Sequence, residues 1–523
     1  MFRRLLVVLL LASAALTGAT PANAAPVFVP VTGVGSSWSA NAIHQWRRNV
    51  DQYGMTINYE DPGSTEGRNQ FRLGKADFGV SEIPYGLNDA GTGSADPPPP
   101  RGFAYMPIVA GGTSFMYNLK IGNNRVTNLR LSGENVVKIF TGVITSWDDK
   151  AIKVDNPQLA LPARKIVPVY RSDGSGTTAQ FTLWMSKEYP ALWNDYCRRS
   201  GRNTPCGLTS SYPAPANFGV GKANSTGVAS FVKQSSSEGA ITYVEYSYAV
   251  NNNFPVAKVL NKGGYYVEPT AKAVAVALTF AGIDRTPGPN YLTQQLDQVY
   301  SNDDKRTYPL SSYSYMILPT RLEYGITENK GYTIAAFSYY FLCEGQQQAD
   351  SLGYSPLPIN LVKAGLEQVT QVPGAARNDI VLSKCNNPTF SPDGTNTLAK
   401  NAPNPPECDH VGTVQCATGT GGAKAPTPVT RGGGTAGGTG SAAPGAPGGS
   451  GAPGAADGTG GAGGGGDTNV AGSAGDVNAI PVSLEADGGW RLRHTMMVLA
   501  GVLLLMVIVG PPLLARRIQD GKS

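Results

Sequence analysis

Three short segments of this sequence place glycine beside serine or threonine just before a predicted helix. They are residues 33–38, 62–67 and 171–177. The first N–H groups of a helix have no partner within it, so they and the neighbouring hydroxyls can donate hydrogen bonds to a negatively charged oxygen. The third segment adds Arg171, whose guanidinium can bind an oxyanion through two donors while Asp173 holds it in place. One such loop alone is an ordinary turn with a helix cap, but three of them with an arginine predict an anion site.

Short apolar runs and helical stretches alternate around these loops, a pattern typical of α/β proteins. The predicted strands are 56–59, 78–80, 105–109, 114–119, 166–170, 241–244 and 315–318. The predicted helices are 39–53, 67–73, 133–141, 178–186, 227–233, 270–281 and 332–343. Residues 27–385 carry this pattern and exceed one ordinary domain, so we expect two α/β lobes with a cleft where loops leave the strand ends.

An exported serine hydrolase or phosphatase is the competing interpretation, because Ser175 lies at a predicted turn from strand to helix. The hydrolase turn needs Gly-x-Ser-x-Gly, whereas Ser175 has a glycine directly on either side. General bases are scarce, since the chain has only His44, His410 and His494. We therefore predict a binding protein without catalytic residues.

Composition narrows the choice of partners. The 523 residues are 41% hydrophobic and 15% charged, which is too apolar for a wholly disordered chain and too polar for a protein with many membrane spans. The net charge of +5 is mildly basic and comes without a block of lysine and arginine. Nucleic acid is therefore not an expected partner. We also expect the protein to be a monomer.

All six cysteines lie on the part of the chain that we expect to be exported, which favours disulfides. Six cysteines allow fifteen connectivities. Neither Cys-x-x-Cys nor a close pair of histidines occurs, so no metal site and no cofactor are predicted. The simplest uncrossed pairing joins Cys197 with Cys206, Cys343 with Cys385, and Cys408 with Cys416.

Both ends of the chain carry patterns typical of membrane targeting. Residues 1–24 combine two arginines, an apolar run and a final Ala-Asn-Ala, which predicts a cleaved signal peptide. Residues 495–515 are apolar over a length that spans a bilayer, and the basic segment 516–523 follows as a cytoplasmic tail. The sequence therefore predicts a single-pass protein of the cell membrane with its binding domain outside.

A segment rich in glycine, alanine and proline separates the predicted domain, residues 25–416, from the predicted membrane helix. Residues 417–489 contain no aromatic residue and few charges, so they cannot bury enough apolar surface to fold. We expect a flexible tether that carries the domain through a thick cell wall, as on a Gram-positive-type cell surface.

Five motifs along residues 27–366 carry a resemblance to a known family. The most specific is Arg-Ser-Asp-Gly-Ser-Gly-Thr-Thr at 171–178. The others are Val-Thr-Gly-Val-Gly-Ser-Ser-Trp at 31–38, Asp-Phe-Gly-Val-Ser-Glu at 77–82, Ala-Ile-Thr-Tyr-Val-Glu-Tyr at 240–246 and Tyr-Pro-Leu-Ser at 308–311. In this order they resemble the phosphate-binding proteins of phosphate ABC transporters.

The resemblance implies a two-lobed periplasmic-binding-protein fold of the second topological type, in which the chain crosses the hinge twice. Lobe one would comprise residues 26–110 and 312–385, and lobe two residues 111–311. It also implies inorganic phosphate as the ligand and the membrane permease of a phosphate ABC transporter as the partner.

Carried over by position, the resemblance implies that three loops donate to the phosphate. Members of the family usually have Thr-Phe where this chain has Ser37-Trp38, and both changes keep the donors. The implied ligands are Ser37 and Trp38 from the first loop, Ser64 from the second, and Arg171, Ser175, Gly176 and Thr177 from the third, with Asp173 supporting Arg171.

Glu82 stands where the family has an aspartate that accepts the proton of the bound phosphate. Phosphate near neutral pH carries at least one O–H and sulfate carries none, so a buried carboxylate pairs with phosphate and repels sulfate. Glu82 is therefore the expected discriminator between these anions. Because glutamate is one methylene longer than aspartate, a different oxyanion stays an alternative.

The C-terminal helix and tether leave a second role open. Relatives in Gram-positive cells are usually held by an N-terminal lipid, and this chain has no cysteine after its predicted cleavage site. A surface scavenger or sensor of anions is therefore the alternative to a direct feeder of the transporter.

Overall fold

The computed structural model describes residues 26–427 except 90, 377–384 and 392. The predicted signal peptide, membrane helix, cytoplasmic tail and most of the tether lie outside these residues. Within the described part, none of the helices has the length and apolar character needed to cross a membrane.

Strands and helices alternate along the chain as an α/β protein requires. The strands are β1 (Val31–Gly35), β2 (Ile57–Glu60), β3 (Phe78–Ser81), β4 (Asn88–Asp89), β5 (Ser94–Ala95), β6 (Phe103–Tyr117), β7 (Lys120–Ile121), β8 (Asn124–Arg125), β9 (Arg130–Leu131), β10 (Val167–Arg171), β11 (Val220–Lys222), β12 (Ala240–Glu245), β13 (Val256–Leu260), β14 (Tyr266–Val267), β15 (Gly282–Ile283), β16 (Gln294–Gln295) and β17 (Ser311–Pro319). The helices are α1 (Ala40–Asp51), α2 (Ser64–Arg72), α3 (Gly133–Phe140), α4 (Lys150–Asp155), α5 (Gly176–Glu188), α6 (Pro190–Arg199), α7 (Asn224–Lys233), α8 (Tyr246–Asn251), α9 (Ala271–Leu278), α10 (Asp297–Ser301), α11 (Glu328–Leu342), α12 (Ile359–Val369) and α13 (Thr397–Lys400).

The longest strand, β6, runs through the whole main sheet. Its residues 103–112 pair with β17, with Ser311 opposite Gly112, and residues 113–117 pair with β12. The strand order along the sheet is β11-β10-β12-β6-β17-β3-β1-β2. We call β1, β2, β3, β17 and residues 103–112 the first lobe, and β9 to β14 with residues 113–117 the second lobe. The division predicted after residues 110 and 311 lies close to this change of partner.

The sequence predicts two strands, 105–109 and 114–119, where the structure has the single strand β6. Backbone partners on β17 and β12 continue without a gap across residues 110–113, so the strand does not end there. Glycine is needed at this crossing because a Cβ on Gly111 would lie 2.8 Å from Trp38 Cη2, and one on Gly112 would lie 2.5 Å from Pro269 Cβ.

Each lobe places its loops at one edge of its parallel strands. In the first lobe β1 pairs in parallel with β2 and β3, and in the second β10 pairs in parallel with β11 and β12. Helices α1, α2, α5 and α7 follow the carboxyl ends of β1, β2, β10 and β11. In α1, buried Ile43, Trp46 and Val50 recur every three or four residues, which fixes the helix on the sheet. The helix N-termini therefore point to the edge where the lobes meet.

The cysteines form the three disulfides of the simplest pairing, which confirms that prediction. They are Cys197–Cys206, Cys343–Cys385 and Cys408–Cys416.

The packed domain extends past residue 416, the end predicted from the sequence. Thr420 and Thr427 are buried, and Thr427 Oγ1 accepts a hydrogen bond of 2.8 Å from the N–H of Thr127. The N–H of Thr420 donates to the carbonyl of Thr127 over 3.0 Å, and the Thr420 hydroxyl donates to the carbonyl of Val256 over 2.5 Å. Composition alone missed this contact because the bonds that hold residues 417–427 come from two threonine hydroxyls and from backbone N–H groups, which glycine-rich segments of any kind also carry.

Candidate functional site

Glu82 directly follows β3 and is fully buried between two serine hydroxyls. Ser314 Oγ donates to its Oε1 over 2.7 Å, and Ser64 Oγ donates to its Oε2 over 2.6 Å. Ser64 is the first residue of α2, and Ser314 lies in β17. Both carboxylate oxygens therefore face donors, as a buried carboxylate requires.

Glycine at position 176 lets the second lobe approach this carboxylate. The N–H of Gly176 donates to Ser64 Oγ over 3.1 Å. A Cβ at this position would lie 1.9 Å from Glu82 Oε2 and 2.5 Å from Ser64 Oγ. No larger residue fits while the lobes are in contact.

Arg171 ends β10 and is held by Asp173. The Nε atom donates to Asp173 Oδ1 over 2.8 Å, and Nη2 donates to Oδ2 of the same carboxylate. The Arg171 side chain is 2% exposed. Its Nη1 lies 3.4 Å from Thr177 Oγ1 and 3.2 Å from Ser225 Oγ. Two nitrogens are thus fixed by the aspartate, and the third faces hydroxyl groups.

The first loop meets the second lobe at Ser37. Ser37 Oγ lies 3.0 Å from Ser225 Oγ and accepts a hydrogen bond of 3.0 Å from the N–H of Ser225. The backbone N–H of Trp38 donates to Ser36 Oγ over 2.9 Å and so points into its own loop. The buried indole Nε1 of Trp38 has no partner among the described residues. Trp38 thus lines the site, and its N–H is turned to its own loop.

Ser175 also differs from the expected ligand in the use of its hydroxyl. Its Oγ accepts a hydrogen bond of 3.2 Å from the N–H of Thr178, so it caps α5. The Ser175 side chain is thus an ordinary helix cap, as a single glycine and serine loop would predict. The cap holds the first turn of α5 in place, and this turn presents Gly176 and Thr177.

Every predicted site residue lies in one contact region between the lobes. The first lobe contributes the loops of Ser37, Ser64 and Glu82, and the second contributes Arg171 and the start of α5. The N–H of Thr65 donates to the carbonyl of Gly174 over 3.1 Å, so the loops also touch through their backbones.

Two residues of this region were missed from the sequence, Ser225 and Ser314. Ser225 lies in the first turn of α7, after β11, in Asn-Ser-Thr-Gly at 224–227. That composition is the signal used for the other three loops, so it could have been found. Ser314 lies within a strand, and nothing in its local sequence distinguishes it from its serine neighbours.

The histidines of the described residues pack elsewhere. The His44 ring lies 5.7 Å from that of Tyr59, and the His410 ring lies 4.8 Å from that of Tyr265. Burial lowers the pKa of His44. The described residues hold no cluster of three or more histidine, cysteine or acidic side chains suited to a metal ion.

Two α/β lobes are joined through a shared strand and meet over hydroxyls, N–H groups, an arginine and a buried carboxylate. This is the arrangement expected of a substrate-binding protein for a small anion. A family model described as the PBP superfamily domain matches residues 16–344. The chain belongs to the phosphate-binding protein PstS family of that superfamily, whose members are substrate-binding proteins and not enzymes.

The relatives show how much of the chain is shared. The phosphate-binding protein PstS of Xylella fastidiosa is 32% identical over 338 residues, which are 64% of this chain and 83% of the relative. The protein of the same name from Methanocaldococcus jannaschii is 29% identical over 364 residues, covering 67% of this chain and 88% of its own. Among solved structures, a phosphate-binding protein from Stenotrophomonas maltophilia superposes with a TM-score of 0.47 at 17% identity, over 70% of this chain and 99% of its own.

Proposed function

We propose that this protein binds inorganic phosphate between its lobes and delivers it to the membrane permease of a phosphate ABC transporter. The observation that carries the proposal is the buried Glu82 carboxylate beside Ser64 and the N–H of Gly176. Arg171 Nη1, turned to hydroxyls close by, supplies the positive charge. Among tetrahedral oxyanions, this set of donors with one acceptor suits an anion that carries a proton.

Contacts across the cleft support a mechanism in which the lobes close on the anion. Ser37 meets Ser225, and Ser64 meets Gly176, each pair joining one lobe to the other. A phosphate placed among these groups exchanges their mutual hydrogen bonds for bonds to its own oxygens. Because donors come from both lobes, the anion stabilises the closed arrangement over an open one.

The acceptor role of Glu82 is tested by exchanging it for glutamine. Glu82→Gln keeps the shape, removes the charge and adds an N–H donor, so phosphate should bind more weakly and sulfate should begin to bind. Calorimetry with both anions measures this, with Glu60→Gln at the exposed end of β2 as the matched control. Equal affinity of the unaltered protein for sulfate and phosphate would contradict the acceptor role.

The topological type of the fold, the division into lobes and the attachment to the membrane are part of the same proposal. The change of partner along β6 supports the second topological type, with the lobes divided near residues 110 and 311. The sequence patterns at 1–24, 417–489 and 495–515 support an exported protein tethered to the membrane, which we propose acts as a monomer.

A surface scavenger or sensor of phosphate is the second candidate, favoured by the predicted C-terminal anchor. Both roles use the same anion site and differ in whether the permease is engaged. Expressing the full chain in a strain that lacks its own phosphate-binding protein separates them. Restored phosphate uptake supports the feeder role, and high-affinity binding without uptake supports the scavenger or sensor.

A further inference from the structure

The segment 385–427 lies beyond the family match and packs along both lobes. We name it the C-terminal strap, and we propose that it braces the hinge and restrains the separation of the lobes. This inference goes beyond anion binding, because it concerns the motion of the lobes whichever anion they hold.

The strap starts on the first lobe. Cys385 is joined by a disulfide to Cys343, which directly follows α11. Asn387 Nδ2 and Thr389 Oγ1 both donate to the carbonyl of Leu357, over 3.0 and 2.8 Å. Leu357 is fully buried just before α12, so this end is fixed both covalently and by hydrogen bonds.

The middle of the strap crosses the hinge. Helix α13 packs its Ala399 against Ala275 and Val276 of α9. Helix α9 follows Pro269, which lies against Gly112, where β6 changes partner. Arg306 Nη1 donates to the carbonyls of Ala399 and Ala402, over 3.3 and 3.4 Å. The strap is therefore held on α9, the helix that begins beside the crossing of β6 from one lobe to the other.

A stiff connection leads on to the second lobe. Three prolines lie within residues 403–406, and each has a fixed φ, so this stretch has little freedom to lengthen or fold. Asn404 within it is exposed and can be altered without disturbing a packed side chain.

The strap ends on the second lobe at the loop closed by the Cys408–Cys416 disulfide. Arg130 of β9 donates through Nη1 to the carbonyl of Cys408 and through Nη2 to that of Thr413, each over 3.1 Å. Lys258 of β13 pairs with Asp409 over 2.5 Å, and both side chains are largely buried. Strand β6 and the chain that enters β17 already connect the two lobes. The strap is a third connection between them.

Rotation of the lobes must act on this third connection. Separation either disrupts the α13 contact with α9 or strains the proline stretch between two fixed ends. Both cost free energy in the open form only, so the brace raises the closed fraction. A larger binding-competent fraction increases the apparent affinity for the anion and slows its release.

An insertion that lengthens the strap tests whether it restrains the lobes. A short Gly-Ser insert after Asn404 keeps every anchor and relieves the connection, and the same insert after Gly122, in the exposed β7–β8 turn, is the control. Spin labels on cysteines introduced at exposed Gln52 and Val154 report the distance between the lobes in the full chain. Without phosphate, the strap insert should shift the distances to longer values, and with phosphate it should speed dissociation several-fold.

Identical distance distributions and identical phosphate dissociation in the two insertion proteins would overturn the brace. A second variant, Asn387→Ala with Thr389→Val, removes both hydrogen bonds to the carbonyl of Leu357 while the Cys343–Cys385 disulfide stays, so it loosens the first-lobe end without an insert and should act in the same direction with a smaller effect. The measurement without phosphate separates this inference from the proposed function. If phosphate fails to bind but the distances lengthen, the proposed function is wrong and the brace stands.

Discussion

At the scale of single residues, the arrangement around Arg171 depends on the aspartate two positions later. Asp173 takes two of the guanidinium nitrogens and also accepts the N–H of Asn224 over 2.9 Å. This carboxylate therefore links the third loop to the start of α7, where Ser225 meets Arg171 Nη1. The start of α7, which carries Ser225, is thus held in position by a side chain of the third loop.

Two substitutions distinguish the contribution of the Arg171 charge to phosphate binding from that of the Ser225 hydroxyl. Arg171→Ala should weaken phosphate binding by roughly 2–5 kcal/mol, because the anion loses its cation and the Asp173 carboxylate loses its partner of opposite charge. Ser225→Ala should cost about 1 kcal/mol, as expected for one hydrogen bond. Calorimetry measures both, and Ser230→Ala, exposed on the same helix, should leave binding unchanged. Wild-type affinity in Arg171→Ala would place the anion elsewhere.

Glu245, at the end of β12, predicts a pH dependence of stability. The residue is fully buried, and this burial raises the pKa of its carboxyl well above its usual range. A raised pKa in the folded state stabilises the protein below the pKa of the unfolded chain, about 4.3, and this stabilisation is lost as pH rises through the folded value. Its Oε1 has no partner among the described residues, while Oε2 accepts from the N–H of Ser247 over 2.7 Å.

Glu245→Gln removes the titration and keeps an oxygen that can accept from Ser247. We expect its melting temperature relative to the unaltered protein to rise between pH 4 and pH 8. Thermal unfolding across this range measures the difference. A difference that stays constant with pH would show that Glu245 does not titrate on unfolding.

At the scale of elements, the start of α5 determines how closely the lobes can meet. Its N–H groups reach the first lobe only because position 176 has no side chain. The Ser175 hydroxyl caps α5 and holds its first turn in position. Ser175 therefore affects the site indirectly, by fixing the helix that presents Gly176.

Gly176→Ala should therefore block closure and leave the fold intact. The added methyl would lie 1.9 Å from Glu82 Oε2, so the lobes must stay apart and phosphate affinity should fall by at least tenfold, about 1.4 kcal/mol. Gly227→Ala on α7 is the control, because its nearest neighbour would be 3.6 Å away. Calorimetry and thermal unfolding together measure affinity and folding. Unchanged phosphate binding in Gly176→Ala would show that this contact is not part of the bound form.

At the scale of the whole molecule, the boundary of the packed domain makes a prediction about accessibility. The strap holds the chain to the second lobe as far as Thr427, whereas the tether predicted from composition begins at residue 417. Protease cleaves exposed, unpacked chain in preference to packed chain.

Mild proteolysis of intact cells should release a compact fragment that ends after residue 427 and before residue 490. Mass spectrometry of the released fragment gives its C-terminus. Release only after lysis would contradict the predicted topology, and cleavage between residues 417 and 427 would contradict the packing of Thr420 and Thr427.

The sequence by itself determined the features that depend on neighbours along the chain. The glycine and hydroxyl loops, the Arg171–Asp173 pair and the α/β alternation follow from local backbone and side-chain chemistry. The disulfides Cys197–Cys206 and Cys408–Cys416 close short loops, so their pairing could be anticipated. Such features need no knowledge of which distant segments meet.

Only the tertiary structure decided the features that depend on distant segments. Ser314 reaches Glu82 from 232 residues away, and Thr427 reaches Thr127 from 300 residues away. The continuity of β6 likewise depends on two partner strands from other parts of the chain. The physical reason is that a hydroxyl or a glycine has the same local character wherever it stands, and its role is set by the group that folding brings within about 3 Å of it.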